Sequence, residues 1–183
     1  MKQPIRSKIT LKELAFFGVY AALLVAFKQA MSILPNIEPV TVMLIALTCV
    51  YGVKALLPAY VFSVIQIAIY GFHIWNLMYL YVWAVLVFLV LLLLPIHKAF
   101  DKLTYASVLQ TVLWTVLAAL YGLFFGVICS VPYFITLGPA GAISWIAAGF
   151  AFDITHCISN AVITAVAFYP IYKALKITKE KLL

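Results

Sequence analysis

The strongest constraint on this chain is the way its basic residues alternate with long apolar runs. Lys2, Arg6, Lys8 and Lys12 precede the first run, Lys54 lies in a tight connection after the second, and Lys98 and Lys102 follow the fourth. Lys173, Lys176, Lys179 and Lys181 close the chain. The intervening connections, near residues 35–39, 71–77 and 130–142, hold no Lys or Arg. On any alternating path, eleven of the twelve basic residues fall on one side, the asymmetry that orients helices in a bilayer. Only 9% of the residues are charged and 67% are apolar, against about a quarter charged in a soluble domain. The surface must therefore face lipid. Topology accounts for the net charge of +7, and no nucleic-acid partner is expected.

Within lipid every backbone group needs an internal partner, so spans are helices or closed barrels. The apolar runs lack strict alternation, which selects helices. The expectation is an all-α membrane protein, a six-transmembrane-helix bundle with N- and C-termini cytoplasmic, in the cell (plasma) membrane. It forms a single domain over 1–183, with helices at about 11–34, 40–51, 55–70, 77–94, 105–129 and 143–175. The second and third are short for a hydrocarbon layer of about 30 Å. Pro95 is expected to end helix four, Pro170 to kink helix six, and the 129–142 loop to serve as a lid. The first apolar segment, followed by no Ala-x-Ala site, reads as a retained helix rather than a leader. Cys49, Cys129 and Cys157 lack metal-ligand spacing and read as buried free thiols.

A few features exceed what a generic bundle needs. Gly18, Ala22, Ala26 and Ala30 keep small residues on one face of helix one, where another helix can approach closely. Either an internal helix contact or a separate membrane subunit would use that face. Lys28 lies about 200° around the helix from Ala26, facing the bundle interior or snorkelling to the headgroups. The turn Leu34-Pro35-Asn36-Ile37-Glu38-Pro39 follows, and Glu38 is placed to pair with Lys28 or to meet a ligand. In helix six, Asp153, His156 and Asn160 fall within about 60° of one another at 100° per residue, and Thr164 extends the stripe. Such side chains pair among themselves or line a cavity, because facing lipid is costly. His73, Trp75, Asn76, Tyr79, Tyr81 and Trp83 form an aromatic-rich stretch that suits either an interfacial belt or a pocket stacking a flat heterocycle.

Other chemistries lack their signatures. The sequence has no G-x-x-x-x-G-K-[ST], H-E-x-x-H or G-x-S-x-G, so no ATP hydrolysis, resident cofactor or metal is expected. Two competing classes stay open: a stand-alone secondary carrier, and an intramembrane enzyme using Asp153 and His156.

The Leu34-Pro-Asn-Ile-Glu-Pro-Val turn after a small-residue helix, together with Phe152-Asp-Ile-Thr-His-Cys-Ile-Ser-Asn160, resembles the substrate-binding S components of energy-coupling factor (ECF) type ABC vitamin transporters. That resemblance implies a non-enzymatic binding subunit for a vitamin or vitamin precursor. Its partners would be a coupling transmembrane subunit and two cytoplasmic ATPases. By the same resemblance, Gly18, Ala22, Ala26 and Ala30 would contact the coupling subunit. The outer loops and helices four to six would bind the ligand. The Ile69-Tyr-Gly-Phe and Tyr79-Leu-Tyr-Val-Trp83 stretches are similar to a branch linked with cobalamin or dimethylbenzimidazole-type precursors. Riboflavin, folate, pantothenate, pyridoxine and queuosine-type ligands remain open.

Overall fold

A computed structural model describes residues 9–182; Lys2, Arg6 and Lys8 lie outside the described residues. Those residues form helices and turns with no strand: α1 (Leu11–Ala30), α2 (Val40–Tyr51), α3 (Leu56–Tyr70), α4 (Val82–Phe100), α5 (Ala106–Leu123), the short α6 (Phe125–Cys129) and α7 (Val131–Leu182). Two 3-10 turns, Gly52–Ala55 and Ile74–Leu80, join α2 to α3 and α3 to α4. Four runs, Val40–Tyr70, Ile74–Phe100, Ala106–Leu123 and Val131–Lys181, are long and apolar enough to cross a membrane. This is the architecture of a helical membrane protein.

Side-chain contacts fix the helix directions. Phe16 and Phe17 at the start of α1 pack on Tyr51 at the end of α2, and Tyr20 donates to the Met43 carbonyl at 2.8 Å. Hence α1 and α2 are antiparallel. Glu13 meets Lys54 just before α3, while Gln29 accepts from Tyr70 at its end, so α1 and α3 are parallel. The run from Val40 to Tyr70 therefore reverses at Gly52, whose backbone (φ 62°, ψ −139°) leaves the helical region at a residue without a Cβ penalty. Tyr121 donates to the Val82 carbonyl and Trp114 to His97, making α4 and α5 antiparallel. Trp114 packs on Phe168, and Asn160 reaches the Ala118 carbonyl, so α7 returns alongside α5. Lys179 donates to the Val50 carbonyl, so the last turns of α7 lie at the same end as the first turn of α1.

The core lies around α2, where every residue from Val40 to Thr48 is buried. A helix that is apolar on all sides belongs at the centre of a bundle, and α1, α4, α5 and α7 surround it. The most extensively packed pair is α5 with α7. The two helices come close at Gly122, where an added Cβ would lie 2.7 Å from the His156 backbone.

Several boundaries differ from those expected. Helix one ends at Ala30, not Leu34: Met31 (φ −100°, ψ 10°) caps it and the chain turns from there to Asn36. Helix four begins at Val82, after a 3-10 turn, and continues through Pro95 to Phe100. The proline removes one hydrogen bond within the last turns, a loss that membrane helices accommodate. Helix five stops at Leu123, and Phe124 (φ −96°, ψ 11°) separates it from α6. The expected lid loop at 129–142 is helical apart from the turn at Ser130 between α6 and α7 and a break at Gly138 (φ 71°, ψ −172°). Pro132 and Pro139 open the helical segments on either side, where a missing N–H costs nothing. The last helix accordingly begins before residue 143 and runs beyond 175 to Leu182, through Pro170.

The small-residue face of α1 also resolves. Gly18, Ala22, Ala26 and Ala30 are all exposed, and a Cβ at Gly18 would meet nothing within 4 Å. The internal-contact alternative is therefore overturned. The buried residues of α1 are Glu13, Phe17, Tyr20, Ala21 and Leu24. Cys49, Cys129 and Cys157 are free thiols.

Candidate functional site

At the end of the bundle where α1 finishes, the connection after α1, the 3-10 turn before α4, α6 and the first half of α7 enclose a cavity of about 300 Å³. Each wall has a local cause. Asn36 adopts a left-handed backbone (φ 58°), which Asn tolerates better than most residues. Its side-chain amide donates to the Phe152 carbonyl at 3.0 Å, and its carbonyl accepts from Ser159 Oγ at 2.7 Å. The turn is thus tied to α7. Glu38 precedes the first residue of α2, where the helix dipole favours a negative charge. It is 4% exposed and forms an ion pair with Lys28.

The opposite wall is aromatic. Trp75 and Tyr79 project from the 3-10 turn, which is held by Asn76 donating from its side chain to the Gly71 carbonyl and from its backbone to the His73 carbonyl. From α6 come Phe125, Gly126 and Cys129. From α7 come Trp145, Gly149, Asp153 and His156, spaced four, four and three apart, as one helix face requires. Tyr133 stacks behind Trp145 with ring centroids 4.1 Å apart.

The polar groups carry the chemistry. Asp153 accepts from the Gly126 backbone N–H at 3.0 Å through Oδ1, and no protein donor reaches its second oxygen among the described residues. A Cβ at position 126 would collide with that oxygen, so the close approach needs glycine. His156 is 2% exposed, its ring edge-on to Phe125 at 4.6 Å. Among the described residues neither of its ring nitrogens has a hydrogen-bond partner, and neither does Trp145 Nε1. A neutral imidazole presents one donor and one acceptor, and leaving a buried polar atom unpaired costs about 1–3 kcal/mol. The arrangement is a small aromatic box with unmet hydrogen-bonding capacity.

Of the residues singled out from sequence, Lys28, Asn36, Glu38, Trp75, Tyr79, Asp153 and His156 line this cavity. His73, Asn76, Trp83 and Asn160 do not. His73 is exposed and stacks against Trp75. Asn76 serves the turn. Trp83 is buried behind Tyr79 against Phe62 and Phe125. Asn160 is committed to the Ala118 carbonyl at 3.2 Å. Sequence reasoning missed Trp145, Gly149, Phe125, Gly126 and Cys129. The 145/149/153/156 register was legible; the α5–α6 break that presents Phe125 and Gly126 was not. No trio of His, Cys, Asp or Glu is placed to hold a metal among the described residues. Comparison with family models, with curated proteins and with solved structures finds no match.

Proposed function

We propose that this chain is the substrate-binding subunit of an ATP-driven micronutrient importer of the energy-coupling factor type, in the plasma membrane. In this reading it crosses the bilayer six times, with both termini and the lysine-rich end in the cytoplasm and the aromatic cavity open to the outside. The observation that carries the reading is His156: a buried side chain with two unpartnered nitrogens, facing a cavity beside a half-satisfied Asp153. A bound molecule with complementary groups relieves that deficit, while the aromatic walls supply most of the affinity. A volume of about 300 Å³ is at the lower limit for ligand pockets. It favours a small flat heterocycle, such as a benzimidazole-type precursor, over a whole corrinoid.

His156 hydrogen-bonds neither Asp153 nor Cys129, which supports binding over catalysis by these groups. The exposed Gly18/Ala22/Ala26/Ala30 flank supports docking of a coupling membrane subunit, and the absence of a nucleotide motif from the sequence fits separate ATPases. The test is mass spectrometry of small molecules that co-purify with the full chain in detergent, repeated for Asp153→Ala. A heterocycle bound by the wild type and weakened about fivefold or more in the variant, equivalent to at least 1 kcal/mol, is expected. Ion-driven transport by the purified chain alone would select the secondary-carrier reading instead.

A further inference from the structure

The opposite end of the bundle holds a second cavity, of about 370 Å³, where Glu13, Val50, Gly52, Lys54, Lys98 and Lys179 come together. We propose that it binds a phosphate-bearing anion. The three lysines come from the turn after α2, the end of α4 and the last turns of α7, so the fold, not local sequence, gathers them. Lys54 is matched: its ammonium meets both oxygens of Glu13, at 2.7 and 2.8 Å. Glu13 in turn closes the capping box with Thr10. Lys98 and Lys179 are left without an ion pair among the described residues.

Lys179 is nonetheless held in place. It donates to the Val50 carbonyl at 2.7 Å and sits 5.1 Å from the centroid of the Tyr51 ring. An ammonium has three N–H donors, so donors remain for an anion. Orientation in the bilayer requires lysines on this side of the protein, but it does not require them to converge. Lys102, Lys173 and Lys181 meet the same requirement outside the cavity; Lys98 and Lys179 are exposed like them and differ in lining one hollow together. Gathering like charges around one hollow costs Coulomb energy, and a bound anion reverses the sign of that term. A phosphate monoester or diester suits ammonium groups that act as point charges. An anionic lipid headgroup and free phosphate share this chemistry.

The test titrates the full chain, in a zwitterionic detergent, with short-chain phosphatidylglycerol and separately with inorganic phosphate, read by native mass spectrometry. One saturable equivalent is expected. The pair Lys98→Gln/Lys179→Gln should weaken it about thirty-fold, the factor equivalent to about 1 kcal/mol for each lysine. Lys102→Gln/Lys173→Gln should leave it within about twofold. Lys98→Gln alone, at a side chain that makes no hydrogen bond among the described residues, should weaken it about fivefold and keeps the test open if the double variant does not fold. Saturable binding of the lipid alone assigns a headgroup site, and of phosphate alone a soluble-anion site. Binding of neither, or equal weakening by both lysine pairs, overturns the proposal.

Discussion

The close approach of α5 and α7 at Gly122 gives a sharp test of the packing that holds the cavity. In Gly122→Ala the new Cβ would lie 2.7 Å from both the carbonyl carbon and oxygen of His156 and 2.8 Å from the Cys157 nitrogen. These are backbone atoms within a helix, so no rotamer change relieves them. The helices must part by about 0.7 Å to restore ordinary contact. Overpacking of this kind costs about 1–3 kcal/mol. Because the atoms struck are backbone, the cost lies in the upper half of that range, about 2–3 kcal/mol, and the better helix propensity of Ala returns about 1 kcal/mol, leaving a net loss of about 1–2 kcal/mol. For a chain of this size that lowers the melting temperature by about 2–8 °C. Gly18→Ala is the matched control, since its Cβ meets nothing within 4 Å and only the propensity gain, up to about 1 kcal/mol, applies. Thermal unfolding of both variants in one detergent, followed by tryptophan fluorescence, measures the difference. If Gly122→Ala melts with or above the wild type, the two helices do not meet as described. The same result follows if Gly18→Ala loses as much.

Two further perturbations separate the site from the scaffold. Gly126→Ala collides with a side-chain carboxylate rather than backbone, so Asp153 swings away from the Gly126 amide while the fold stands. Melting should stay within about 2 °C and affinity for the co-purifying molecule should fall about fivefold or more; a large melting change with intact affinity contradicts this. Trp114→Phe removes the 2.9 Å hydrogen bond to His97 Nδ1 and leaves a fully buried ring atom unpaired, at about 1–3 kcal/mol of stability. Ligand affinity should not change, because His97 lies toward the opposite end of α4 from the cavity; unchanged melting would show that His97 finds another partner.

How much was legible depended on whether a feature is local. Span existence, the short α2 and α3, and the Lys28–Glu38 pairing follow from apolar run lengths and from charges placed either side of one turn. The α2 boundaries of Val40 and Tyr51 coincide with those read from sequence, because Pro39 and Gly52 punctuate both ends. The lid expected at 129–142 failed for an instructive reason. Pro132, Gly138, Pro139 and Gly141 read as turn formers, yet proline suits the first turn of a helix, and only Gly138 takes a backbone that breaks one. Pro95 misled for a different reason: it lies inside α4, which continues past it to Phe100 at the loss of one hydrogen bond. The α5–α6 break falls at Phe124, an exposed residue that is no turn former, between Gly122 and Gly126. Which polar residues face the cavity was equally non-local: Asp153 and Asn160 share a helix face, but Gly126 meets one and the Ala118 carbonyl the other.

The two buried histidines show why burial alone does not identify the site. His97 and His156 are 1% and 2% exposed, and both sit among aromatic rings. His97 is enclosed by Trp114, Phe168 and Tyr172, accepts the Trp114 indole N–H, and its own backbone carbonyl takes a bond from Gln110. Its Nδ1 is thus answered while its Nε2 has no partner among the described residues, and it does not line the aromatic cavity. His156 has an aromatic neighbour but no hydrogen-bond partner among the described residues, and it lines the cavity together with Asp153 and Trp145. A scaffold histidine left in that condition would be a standing cost of about 1–3 kcal/mol for each unpaired atom, which a hydrophobic residue of similar volume would remove. Gln66 shows that an unpaired buried group alone is not enough, since both its side-chain atoms lack partners among the described residues and it does not line the cavity. What sets His156 apart is that its unpaired nitrogens accompany a place in the cavity lining, which is where the proposed ligand would sit.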